Sequence, residues 1–246
     1  MTAPIRAELL KQRSIPTGRG LLVGMLTLIV FAVLLHGLSL PPDNVAAREA
    51  QLDFVFRWGA LFGSLFASLL GALSITGEFR HGTIRPTLLL TPRRERVIAA
   101  KVLAAVVWGS AFGVLAVLAS IAAAVASLDA RSIEVALDGA DYALLLFGGT
   151  ATAALWAAIG VGLGAIVRQQ VATVAGLAIW LLFIESLLVP FVPDVGRLAP
   201  GAAGVALAGI DLDALLGPAA GGALLVAYAI AAVIAGSFGL ARRDVG

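Results

Sequence analysis

Six long apolar runs, at residues 20–40, 54–77, 97–127, 142–167, 171–192 and 218–240, leave this chain few ways to fold. A helix needs about 20 mostly apolar residues to cross the hydrocarbon of a bilayer. Each run reaches that length, the longest with room for tilt. In a chain of 246 residues they leave no stretch for a sizeable soluble domain. Composition agrees: 60% of residues are hydrophobic and 13% charged, where a soluble domain carries about 25% charged residues. The expected fold is therefore all-α, a single polytopic transmembrane domain over 1–246 with six transmembrane helices. The first run exceeds the roughly 7–15 residues of a signal-peptide core and is expected to remain as an anchor.

Charge sorts these helices by side. With the N-terminus cytoplasmic, thirteen basic residues fall inside: Arg6, Lys11, Arg13, Arg19, Arg80, Arg85, Arg93, Arg94, Arg96, Lys101, Arg168, Arg242 and Arg243. Only Arg48, Arg131 and Arg197 fall outside, where most of the acidic residues also lie. Such a positive-inside bias, sustained loop by loop, implies an even number of spans with both termini cytoplasmic. The formal charge of +2 thus reflects topology and gives no reason to expect a nucleic-acid partner. The expected location is a bacterial-type cell membrane, crossed several times.

Outside the spans, residues 1–19 place Ile5, Leu9 and Leu10 on one side of a helix and Arg6, Lys11 and Arg13 elsewhere. That is the pattern of an amphipathic helix lying in the membrane interface, ended by Pro16. The extracytoplasmic segment 193–217 is rich in Pro and Gly and permits loops or a short surface helix. Gly20 with Gly24, Gly59 with Gly63, Gly109 with Gly113 and Gly160 with Gly164 have the four-residue spacing that lets helices approach closely in lipid.

Reactive groups are scarce. The chain has no cysteine and two histidines, His36 and His81, and it carries no HExxH or GxSxG motif. Its two lysines, Lys11 and Lys101, follow Leu10 and Ala100, so no glycine–lysine phosphate loop exists. No catalytic residue, cofactor site or metal site is expected on this chain. Glu185 stands well inside an apolar run, where a charge costs about 2.5–3.5 kcal/mol on insertion scales. It is a candidate gate or substrate contact, set against the role of an interfacial or structural polar residue. A lone carboxylate argues against ion coupling.

The densest signal is the loop at 78–96. Gly82 breaks the helix before it, and Thr83 can cap a short helix over 84–90. Thr91 and Pro92 then form a second helix start. Leu88, Leu89 and Leu90 would have no lipid to face between flanking arginines, so the patch asks for a protein partner. Glu78 is expected to pair with Arg80, Arg85 or an arginine of that partner.

The run EFRHGTIR, then LTPRR and AAK ending at Lys101, resembles the signature region of the ABC-2 permease family, the membrane subunits of ATP-binding-cassette exporters. The closing FGLARRDV is similar to that family's usual ending. Arg93 departs from the pattern, since a small or aliphatic residue often follows the proline. The resemblance implies an N-terminal elbow helix and a cytoplasmic coupling helix that docks on a separate ABC ATPase subunit. Glu78, Arg80, Gly82, Thr83, Ile84, Arg85, Thr87, Leu88, Leu89 and Pro92 form the implied docking element. ATP and Mg would be bound by that partner. A second permease chain, identical or related, would complete a pathway for a hydrophobic or amphipathic substrate such as a drug, peptide or lipid-like molecule. The alternative is a non-transporting scaffold or sensor that holds an ATPase.

Overall fold

The structure, a computed structural model, describes residues 2–14, 16–83, 94–210 and 215–242. Among the described residues all regular structure is helical. Helix α1 (Thr2–Ser14) precedes α2 (Pro16–Ser39), and a 3-10 turn at Pro42–Val45 leads into α3 (Arg48–Arg80). Then come α4 (Arg94–Asp129), α5 (Gly139–Val167) and α6 (Gln170–Phe191). After a single turn at Pro193–Gly196, α7 (Pro200–Leu207) and α8 (Pro218–Arg242) complete the described chain. Helices α2 to α6 and α8 are each long and apolar enough to cross a membrane. The protein is an all-α multi-pass membrane protein.

Two spanning helices are interrupted by π-helical turns, Leu52–Phe56 in α3 and Trp180–Ile184 in α6. Helix α3 starts at Arg48, six residues before its apolar run, because polar partners hold the extra turn. Buried Gln51 donates to the Val45 and Glu134 carbonyls at 3.0 and 2.8 Å and accepts from the Ala136 amide at 2.9 Å. Arg48 Nε donates to both oxygens of Asp141, at 3.1 and 2.9 Å. Asp141 also belongs to the capping box that starts α5: Asp138 accepts from the Ala140 and Asp141 amides, and Asp141 accepts from the Asp138 amide. An acidic N3 residue closing such a box satisfies donors that would otherwise be orphaned. With 36 residues, α4 runs about 54 Å at 1.5 Å per residue, well beyond a hydrocarbon core of about 30 Å.

Helices α3 and α5 form the centre, each 67% buried over its most apolar stretch, against 17% for α6, 22% for α8 and 28% for α2. Glycines allow the central contact. A Cβ on Gly71 would strike the Ala157 carbonyl, and one on Gly160 would strike the Ser68 carbonyl. The spaced glycines follow suit in three pairs of four. Gly59 and Gly63 lie against Ala116, Gly109 and Gly113 against Ala153, and Gly164 beside Gly160 against Ala72 and Ile75. Gly20 has nothing within 4 Å, so the first pair makes no comparable contact.

The segment after α6 departs from a surface loop or surface helix. Ala202, Ala203 and Ala206 of α7 are buried. Thr152 of α5 donates to the Gly204 carbonyl at 3.1 Å, and a Cβ on Gly221 of α8 would lie 2.7 Å from the Ala203 carbonyl. Small side chains let this short helix fold back between α5 and α8, a contact that apolar composition could not reveal.

Candidate functional site

At the end of the bundle that carries α1, charge is buried. Lys101 of α4 is 0% exposed, and its ammonium lies 2.9 Å from Glu8 Oε2 of α1 and 2.9 Å from Glu78 Oε1 of α3. It also donates to the Ser74 carbonyl at 3.2 Å. Lys11 of α1 pairs with the same Glu78 oxygen. Two ammonium groups and two carboxylates thus fasten three helices with no net charge. Removing one member of such a group leaves another uncompensated in a poor solvent for ions, at a cost of about 3–5 kcal/mol.

Among the described residues Glu78 pairs with Lys11 and Lys101, while Arg85, one of its expected partners, lies outside them. The carboxylate is 3% exposed and turns inward to Lys11 and Lys101, not outward to Arg80. A cavity of about 410 Å³ adjoins the cluster, bordered by Gln12, Glu78, Arg80 and Thr83. Gln12 is 8% exposed with no hydrogen-bond partner on its amide, and Glu78 Oε2 also lacks one. A lysine four residues inside an apolar run was itself a signal that a buried counter-charge had to exist.

Of the docking element, Arg80, Gly82 and Thr83 are exposed just beyond this cluster. Arg80 Nη1 donates to Gln170 Oε1 at 3.4 Å. Gly82 has φ +68, a left-handed conformation that favours glycine and turns the chain out of α3. Ile84, Arg85, Thr87, Leu88, Leu89 and Pro92 lie outside the described residues. The α5–α6 link is clamped at the same end: Arg168 donates to the Gly239 carbonyl of α8 at 2.6 Å and sits over the Phe79 ring at 5.3 Å.

At the opposite end Glu185 is 5% exposed. Its carboxylate accepts from the Gly201 and Ala202 amides, both at 2.9 Å, and from the Trp180 indole. A carboxylate at a helix start satisfies orphan amides and the positive end of the helix dipole. Glu185 therefore holds the first turn of α7 against α6. It also borders a cavity of about 520 Å³ with Asp53, Arg57, Thr152, Trp156 and Leu181. Asp53 and Arg57 form an ion pair one helical turn apart. The lining of this cavity is spread across four helices, so no single stretch of sequence marks it beyond Glu185 itself. Among the described residues, no group of three or more His, Asp or Glu gathers as a metal site would require.

Residues 25–203, well over half of the chain, match a family model described as ABC-2 family transporter protein. No curated protein matches the chain.

Proposed function

The chain belongs to the family of ABC-2 family transporter proteins, and from that membership we propose that it is the permease subunit of an ATP-driven exporter. Its substrate is hydrophobic or amphipathic, and its power comes from a separate ABC ATPase subunit that binds ATP and Mg. A second permease chain completes the pathway. Both termini and the 78–96 loop face the cytoplasm of a bacterial-type cell, in keeping with the charge asymmetry of the loops.

The observation that carries the reading is the family match, which includes the loop between α3 and α4. Leu88 and Leu89 are the apolar anchors offered to a groove on the ATPase, and Arg80 and Arg85 supply rim charges. The buried cluster supports the mechanical part. Nucleotide-driven closure of the ATPases displaces the loop, and α3, α4 and α1 move together because Lys101, Lys11, Glu8 and Glu78 tie them. Such switching is a rigid-body change between two packings. Helix α3 is the lever: toward its far end it bears Asp53 and Arg57 at the large cavity, about 35–40 Å from the loop at 1.5 Å per residue.

The test is copurification with the cognate ATPase, sought first among proteins encoded beside this chain. Leu88→Asp should abolish capture while leaving membrane insertion intact, and undiminished capture refutes docking through this loop. Nucleotide-dependent uptake into inverted vesicles then separates transporter from scaffold. A complex that hydrolyses ATP but neither moves nor responds to any hydrophobic or amphipathic compound refutes the transport reading.

A further inference from the structure

The larger cavity holds a mismatch between donors and acceptors. On the acceptor side Glu185 is supplied by two backbone amides and an indole N–H, and Asp53 receives the Arg57 guanidinium. On the donor side two buried groups are left over. Trp156 is 2% exposed and its Nε1 has no acceptor, and Arg57 Nε is buried without one. Both residues line the cavity, and the Trp156 Nε1 lies toward Gly204, another lining residue, 3.6 Å from where a Cβ on that glycine would stand. A buried donor left unmade costs about 1–3 kcal/mol, a penalty that proteins retain for a reason.

A second observation points to the same place. Both π-helical turns among the described residues border this cavity: Asp53 lies in the first, Leu181 and Leu182 in the second. Such turns cost regular hydrogen bonding and recur at functional sites. The volume, about 520 Å³, falls in the range of small-molecule sites, about 300–1,000 Å³.

We propose that the cavity between α3, α5, α6 and α7 binds a neutral amphipathic molecule whose carbonyl, ester or hydroxyl oxygens accept hydrogen bonds from Arg57 Nε and Trp156 Nε1. An anionic head is disfavoured by Glu185 and Asp53, which outnumber Arg57 in charge, while a cation finds its carboxylates already engaged. Apolar chain is accommodated by Leu181, Leu182 and Val189. Occupancy as a transported substrate rests on the exporter reading; binding itself does not. The oxygen-bearing molecule can be an ester lipid of the bilayer or an added solute.

The experiment uses the full chain in phospholipid nanodiscs, with Trp108→Phe so that Trp58, Trp156 and Trp180 report by emission. Glycerol monolaurate should produce a saturable change, and dodecane, with the same chain length and no oxygen, should not. Trp156→Phe and Arg57→Lys, which keep the ring and the ion-pair charge, should each weaken apparent affinity about three- to tenfold, the loss of one hydrogen bond. Equal responses to the two probes, or unchanged affinity in both variants, overturn the proposal, and the probe comparison does so on the unmodified cavity. With brominated phospholipid, quenching relieved by glycerol monolaurate identifies a bilayer lipid as occupant. Quenching unaffected by a probe that still binds identifies the added solute. Both outcomes require the acceptor chemistry. No ATPase enters this experiment, so its failure leaves loop docking standing, and failed ATPase capture leaves this binding untouched.

Discussion

Replacing Lys101 with methionine tests the buried cluster most directly. The side chain is 0% exposed, so methionine fills comparable space and the change is mainly one of charge. Two carboxylates, Glu8 and Glu78, 13% and 3% exposed, lose their shared ammonium and, among the described residues, keep Lys11, which pairs with Glu78. The loss of a buried partner costs about 3–5 kcal/mol, and the remaining lysine places this case near about 3 kcal/mol. Glu78→Gln leaves two ammonium groups facing one carboxylate and should cost a similar amount. In the double variant Glu8 and Lys11 balance again, so the two losses should not add. The double should fall short of the sum by at least about 1 kcal/mol, within the range for residues in one network. Denaturant titration in mixed micelles, read by tryptophan emission, measures all three. A Lys101→Met loss below about 0.5 kcal/mol, or strict additivity, refutes the claim that these charges form one neutral unit.

At the other end of α5, Arg48→Ala should destabilise more than Asp141→Ala. Asp141 is 3% exposed and is stranded without its guanidinium, whereas Arg48, 35% exposed, can turn to water. Losing the cap alone costs about 0.5–2 kcal/mol, and the same titration ranks the pair; the reverse order contradicts the assignment. In the central contact, Gly160→Ala presses a Cβ into the Ser68 carbonyl and should cost about 1–3 kcal/mol, while Gly20→Ala, with open space around it, should leave stability unchanged or slightly raised. Heating followed by size-exclusion recovery distinguishes them, and equal losses contradict the packing account.

The spanning helices were legible because lipid imposes a one-dimensional rule: length and apolarity suffice to place 20–40 or 218–240 in a membrane. Their ends were less so. Arg48 and Gln51 look too polar for a span until Asp141 and the carbonyls at Val45 and Glu134 are brought beside them. The spacing of Gly160 and Gly164 hinted at close packing without naming α3 as the neighbour, and the same hint at Gly20 and Gly24 led to no comparable contact.

The sequence by itself determined that this protein crosses a membrane six times as helices, and the pattern of Glu78 to Lys101 pointed to its family, since both depend on residues near one another in the chain. Only the tertiary structure decided that Glu78 faces Lys101 and Lys11, that α7 folds inward with Glu185 on its first turn, and that Arg57 and Trp156 share a cavity. Each is a contact between different helices. Apolar faces alike in composition give no local sign of their neighbour, so packing geometry and the pairing of buried polar groups must choose it.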